Sequence, residues 1–173
     1  MIIAISRGFT LIELLVTLSV ASILLTVALP SYRVFVQDSL LITQSNNFYS
    51  AMMLAKSEAV KRSSPATICP STNGTGCTGG TVWSNGWIVF ADTNGDGAVD
   101  AGEEILQVSA ALSGGNTLQS NTRIRVTYAA SGYTLGFAET FSLCDSRGAA
   151  MSRRIVLNNQ GRLRTETGGG ACA

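Results

Sequence analysis

Histidine is missing from this 173-residue chain, no C-x-x-C pair occurs, and only 13% of the residues are charged. Without imidazole there is no Ser-His or Cys-His nucleophile, and no G-x-S-x-G, Walker or metalloprotease motif stands in for one. The acids do not compensate. Glu13 lies in an apolar run and the central carboxylates lie in a turn-rich segment, so neither makes an acid–base pair in a pocket. Catalysis is not expected. The four cysteines, Cys69, Cys77, Cys144 and Cys172, then fit an oxidising compartment better than a metal site. Three pairings are possible. Cys69 with Cys77, closing a Gly/Thr/Asn-rich loop, and Cys144 with Cys172, tying the tail to the body, are favoured; free buried thiols are the alternative.

What the chain does have, first, is length without charge. From Phe9 to Leu29 only Glu13 is ionisable, and about 20 apolar residues cross a bilayer core. An acid inside such a span is costly alone and calls for a partner. The small residue Gly8 precedes the apolar run, and no A-x-A pattern closes it, so cleavage after Gly8 would leave the helix on the protein. Arg7 before the span places the leader in the cytoplasm and the body in the periplasm. Pro30 is expected to kink or end the first helical segment.

Arg7-Gly8-Phe9-Thr10-Leu11-Ile12-Glu13 resembles the type IV prepilin signature. The resemblance implies that a prepilin peptidase cuts between Gly8 and Phe9 and methylates the new amine of Phe9. It also implies that Glu13 meets the N-terminal amine of a neighbouring pilin or pseudopilin as helices stack into a filament. The pairing makes physical sense, because in a low dielectric each charge is costly alone and the pair relieves both. Before assembly the protein would sit in the bacterial inner membrane as a single-pass protein with a periplasmic globular domain; afterwards it would be part of an extracellular pilus.

The resulting division is a leader at 1–8, a transmembrane and filament-core helix at 9–30, an amphipathic continuation at 31–64 and a β-rich domain with a C-terminal tail at 65–173. In the continuation, Leu41, Phe48, Met52, Ala55 and Ala59 recur at helical spacing, with Gln44, Asn47, Ser50, Lys61 and Arg62 on much of the opposite side. Beyond Pro65 short strands are expected at 66–69, 82–91, 104–108, 122–129, 134–138, 141–144, 153–157 and 162–165, separated by Gly, Asn and Ser. One long helix followed by many strands gives an α+β class: the helix packs on an antiparallel sheet.

Charge is unevenly placed. Asp92, Asp96, Asp100, Glu103 and Glu104 gather mid-chain, while Arg147, Arg153, Arg154, Arg162 and Arg164 gather near the end with no acid among them. Asp92, Asn94, Asp96, Asp100 and Glu103 match positions one, three, five, nine and twelve of a calcium loop, with Gly97 at the sharp turn. The flanks read as strands, where an EF-hand has helices, so a hydrogen-bonded turn is preferred. No cofactor is assigned, and calcium is kept as the alternative.

Three further stretches carry a second resemblance: 57–62, closing the helix; 83–90, with the acidic turn after it; and Phe141-Ser-Leu-Cys144-Asp145 followed by Gly161-Arg162-Leu163-Arg164. With the leader they are similar to the FimT/GspH family of type IV minor pilins and type II secretion pseudopilins. Gly161-Arg162-Leu163-Arg164 resembles the G-R-x-R motif by which FimT-type minor pilins bind DNA. Alternation in an extended segment puts Arg162 and Arg164 on one face, about 7 Å apart, a spacing suited to successive phosphates. Gly161 and the glycines at 168–170 are expected to keep the backbone adaptable, and Arg147, Arg153 and Arg154 to extend the patch. With no aromatic platform beside the arginines, binding would be sequence-independent and salt-sensitive. The family alternative is a GspH-like minor pseudopilin, a structural tip subunit in type II protein secretion.

Overall fold

The computed structural model describes residues 8–134 and 136–172; Arg7, with the rest of 1–7 of the expected leader, lies outside the described residues. One helix, α1 (Leu11–Arg62), is followed by eight strands: β1 (Ala66–Pro70), β2 (Trp87–Ala91), β3 (Ile105–Ser109), β4 (Thr117–Ser120), β5 (Val126–Tyr128), β6 (Glu139–Cys144), β7 (Arg153–Leu157) and β8 (Leu163–Thr167). Two compact units share the chain, one reaching to Asp38 and the other running from Ser39 to Ala173.

Among the described residues, the first unit is Gly8, Phe9 and Thr10 followed by α1 as far as Asp38. Among the described residues its large apolar side chains are exposed, and by length and composition α1 is long and apolar enough to cross a membrane. Its hydroxyls are satisfied within the helix: Thr17 donates to the Leu14 carbonyl, Ser19 to Val16, Ser22 to Ser19 and Thr26 to Ile23. That is the arrangement lipid requires, since no water is there to serve them. Of the kink or end expected at Pro30 the end is not found: Pro30 lies inside α1, which continues beyond it as expected. A proline removes one N–H from the hydrogen-bond ladder of a 52-residue helix, a loss a long apolar helix tolerates.

The second unit has the α+β class expected, its antiparallel strands forming two four-stranded sheets, ordered β3-β2-β1-β5 and β4-β6-β7-β8. Their shared core includes Leu41, Phe48, Ala51, Met52, Ala55 and Ala59 from α1, at the spacing of one helical stripe. Phe48 is at its centre, edge-on to Trp83, Trp87 and Phe141 with centroids 5.4, 5.2 and 4.9 Å away. Gln44 departs from the expected pattern. It is three residues from Leu41 and therefore buried, with its amide donating to the Ser113 carbonyl at 2.9 Å and accepting from Asn116 at 2.7 Å. α1 ends where Ser63 turns to φ 51° and Pro65 forbids continuation.

Four strand expectations change, and one of them is a shortening: the strand expected at 122–129 is confined to β5. The run from Val82 is interrupted by a turn, in which Gly86 N–H donates to the Trp83 carbonyl, so the strand begins at Trp87. The 134–138 segment contributes an isolated bridge, Tyr128 with Thr134, in place of a strand; Leu135 lies outside the described residues. β4 was not expected because Leu118 is its only large apolar residue, yet it pairs with β6 from Thr117↔Cys144 to Ser120↔Phe141. Disulfides join Cys69 to Cys77 and Cys144 to Cys172.

Glu139 fastens the turn after β4. Burial by itself would raise its carboxyl, but N–H groups of Thr140, Thr122 and Arg123 and the Thr122 hydroxyl together hold it below its ordinary 4.5. A depressed carboxylate stabilises the fold above its unfolded value and loses that contribution as pH falls through the folded value. Melting wild type and Glu139→Gln at pH 7 and about pH 3 should therefore show a difference that shrinks in acid. A constant difference would mean that the charge contributes nothing.

Candidate functional site

Two places carry chemistry that the fold can explain. The first is the start of α1. Thr10 caps the helix: its hydroxyl accepts from Glu13 N–H at 3.3 Å, and its carbonyl accepts from Leu14 N–H at 3.2 Å. Glu13 is thus at the third helical position of a T-x-x-E start, where a negative charge is favoured by the exposed N–H groups. Its side chain is exposed, as is that of Phe9.

The second is the hairpin β7–β8 at the edge of its sheet. Asn158 organises the turn, its side-chain oxygen accepting from Gln160 N–H at 3.1 Å and Arg162 N–H at 2.9 Å, while Asn158 N–H donates to the Arg162 carbonyl. Leu163 is buried; Arg162 and Arg164 are exposed and line one cavity of about 170 Å³ with Val156 and Asn158. Val156 and the aliphatic stems of the two arginines line it beside Asn158, and no aromatic side chain is among its lining.

The hairpin is held in place, contrary to the adaptable backbone expected. Gly161 is buried at φ 69°, and a Cβ there would come within 2.4 Å of the Gly132 carbonyl and 3.1 Å of Tyr128 Cε1. Lys56 Nζ donates to the Gly161 carbonyl at 3.0 Å, and the Thr134 hydroxyl to that of Asn158 at 3.1 Å. Gly161→Ala should therefore cost about 2–4 kcal/mol, combining left-handed strain with a clash against main chain that cannot move aside. Urea unfolding measures this, and an unchanged midpoint would contradict it. The tail is equally fixed: Gly168 N–H donates to the Ser152 carbonyl, Gly170 N–H to the Ser152 hydroxyl and Ala171 N–H to the Ser142 hydroxyl.

The supporting arginines are not the open extension expected from the sequence. Glu166, two residues past Arg164, pairs with Arg164 at 2.7 Å and with Arg154, across the ladder, at 2.6 Å. Arg147 is engaged by Asp145 at 2.8 Å. Burial would raise that carboxyl, but the Arg147 hydrogen bonds leave it below its usual value. Arg153 alternates with Arg154 and so belongs to the opposite face, in step with buried Ile155. Among the described residues no carboxylate pairs with the Arg162 guanidinium. Lys56, Asn158 and Glu166 were missed from sequence; the turn-forming run Asn158-Asn159-Gln160-Gly161 was a signal for Asn158 alone.

The acidic segment joins β2 to β3, strands as expected, and its carboxylates accept backbone N–H groups. Among the described residues, no three His, Cys, Asp or Glu side chains stand within reach of one metal ion.

Residues 44–161 match the family described as Type II transport protein GspH, and residues 2–29 match the prokaryotic N-terminal methylation motif. The fold is similar to that of the Pseudomonas aeruginosa type IV minor pilin FimU, with a TM-score of 0.62 at 18% identity over 76% of this chain and 92% of that one. It is also similar to the minor pseudopilin EpsH of the Vibrio cholerae type 2 secretion system, with a TM-score of 0.53 at 14% identity over 73% and 96% of the two chains. No curated protein matches the sequence at a significant level.

Proposed function

The chain belongs to the GspH family of pilin-like subunits, and on that footing we propose that it is a minor type IV pilin whose Arg162 and Arg164 hold extracellular DNA for uptake in natural transformation. The family is structural, not enzymatic, and the methylation motif implies processing by a prepilin peptidase and assembly with other pilins. Cleavage after Gly8 would free the Phe9 amine as the partner of Glu13 in a neighbouring subunit, once both have left the inner membrane for the filament.

The observation that carries the DNA reading is the shared cavity of Arg162, Arg164 and Asn158 on a fixed hairpin. Successive phosphates passing there would each receive charge-assisted donors from one guanidinium, held on a backbone that need not reorganise. The Arg164 partner Glu166 is no obstacle. The Arg164 side chain is 66% exposed, and exposed pairs are worth about 0.2–1 kcal/mol, less than a charge-assisted contact to phosphate. Affinity would come from the backbone of the nucleic acid, independent of sequence. Titrating labelled DNA with the full chain in detergent micelles, from about 50 to 200 mM salt, tests this. No binding, or binding indifferent to salt, would sink it.

The second reading is a minor pseudopilin at the tip of a type II secretion apparatus, favoured by the description of the matched family and the likeness to EpsH. Crosslinking at Glu13 to the other pilin-like subunits of the same cell separates the two, because the captured partners belong to a pilus or to a secretion system.

A further inference from the structure

The arginine hairpin has a neighbour that its own stretch of sequence does not suggest. Between β5 and β6 the chain turns back on itself: Gly132 N–H donates to the Ala129 carbonyl at 2.8 Å, and Ala129 N–H to the Tyr133 carbonyl at 2.9 Å. This turn rests directly on the one that carries the arginines. The Gly132 carbonyl stands against Gly161, Thr134 N–H donates to the Asn159 carbonyl at 3.2 Å, and the Thr134 hydroxyl donates to the Asn158 carbonyl at 3.1 Å. Lys56 closes the seam from α1, its stem beside Gly132 and its Nζ on the Gly161 carbonyl. Tyr133 is thus clamped between two residues, Gly132 and Thr134, that both touch the 158–161 turn.

Gly132 and Thr134 are buried and Tyr133 between them is exposed, as Gly161 and Leu163 are buried and Arg162 between them is exposed. At 54%, Tyr133 is the only exposed aromatic side chain among the described residues of the second unit. A tyrosine scattered on a surface needs no explanation. This one stands on a fixed main chain next to two exposed guanidiniums, and a ring with two rotors loses little entropy on contact. Arginines with an adjoining aromatic face suit unpaired nucleotides: the guanidiniums take phosphates and the ring takes the face of a base. A duplex cannot use the ring, because its bases already stack on one another and one must first be extruded.

Resting on the DNA role proposed for Arg162 and Arg164, we propose that this site takes single-stranded DNA in preference to duplex, with Tyr133 stacked on a base while the two arginines hold neighbouring phosphates. Charge alone points the other way. Each phosphate contact contributes about 0.9 to the salt slope on duplex and about 0.7 on a single strand, so with two contacts, lowering salt from about 1 M to about 0.1 M gains the duplex about 2.5-fold over the single strand. Stacking of one base outweighs that, at about fivefold or more. Every base has a face to stack, so binding stays independent of sequence. A duplex is then held best at an unpaired end or gap.

The test is fluorescence anisotropy of the full chain in detergent micelles at about 0.1 M salt, with a labelled oligothymidylate of about 15 nucleotides and a mixed-sequence duplex of the same length. The single strand should bind at least about twofold more tightly, and Tyr133→Ala should weaken it at least about fivefold while changing the duplex by less than about twofold. Tyr133→Phe should keep the single-strand affinity. An abasic strand, which retains the phosphates, should bind the parent chain no better than oligothymidylate binds Tyr133→Ala. Melting temperatures should agree across the series, since the side chain is exposed. If neither form of DNA binds, or if replacing both arginines by alanine changes nothing, the DNA reading falls and this inference with it. If the arginines matter but duplex binds as tightly as the single strand, or Tyr133→Ala acts on both alike, the DNA reading stands and the stacking role alone is overturned.

Discussion

An Arg162→Ala, Arg164→Ala double variant is expected to lose about a hundredfold or more in DNA affinity while melting at the same temperature as the parent. Two charge-assisted contacts of at least about 1.5 kcal/mol each give that factor. The salt dependence is the sharper readout. Each phosphate neutralised contributes about 0.9 to the slope of log affinity against log salt, so losing two should flatten it by about 1.8. The two arginines are not equivalent. Arg164 must first leave Glu166, whereas no carboxylate pairs with Arg162 among the described residues, so Arg162→Ala should cost more than Arg164→Ala. Lysine at either position should restore the slope but not all of the affinity, because an ammonium lacks the planar fork. Stability should hold because both side chains are exposed while Leu163, between them, keeps the strand on its core. Unchanged affinity in the double variant would remove the DNA role and leave the secretion reading.

Phe48→Ala should be the most destabilising single core change, at about 3–5 kcal/mol. The ring is fully buried and touches both sheets: Trp87 belongs to β2 and Phe141 to β6, with Trp83 between them. Each edge-to-face contact adds about 0.5–1.5 kcal/mol beyond area, and Trp83 and Phe141, themselves 5.3 Å apart, would face the cavity left behind. For a chain of this size that corresponds to a fall in melting temperature of about 10–15 °C. Phe48→Leu should cost less than half as much, since it keeps most of the volume. If instead Phe48→Ala cost under about 1 kcal/mol, the helix would not be what joins the two sheets.

Much of the fold was legible because it rests on periodicity. Leu41, Phe48, Met52, Ala55 and Ala59 line one helical stripe in the sequence and one buried stripe in the structure. Gln44 was misread because polarity was taken to mean exposure, and Asn116 and Ser113, far along the chain, are what make its burial tolerable. β4 escaped notice because a single leucine among Thr117, Gln119 and Ser120 makes no pattern; pairing with β6 makes the strand. The candidate site divides in the same way. That Arg162 and Arg164 share a face follows from alternation. That Glu166 engages Arg164 and Arg154 follows only from the ladder that sets Arg154 opposite Glu166.

The sequence by itself determined the properties that are local along the chain. These are the apolar length after Gly8, the lone acid Glu13 at its start, the helical stripe, and the alternation of Arg162 and Arg164. Tertiary structure decided what depends on distant neighbours. Gly161 must be glycine because Gly132 and Tyr128 press on it, Glu166 competes for arginines, and Tyr133 stands beside the arginine hairpin because Thr134 bonds to Asn158 and Asn159. Contacts across strands are set by pairing register, which no window of neighbouring residues contains.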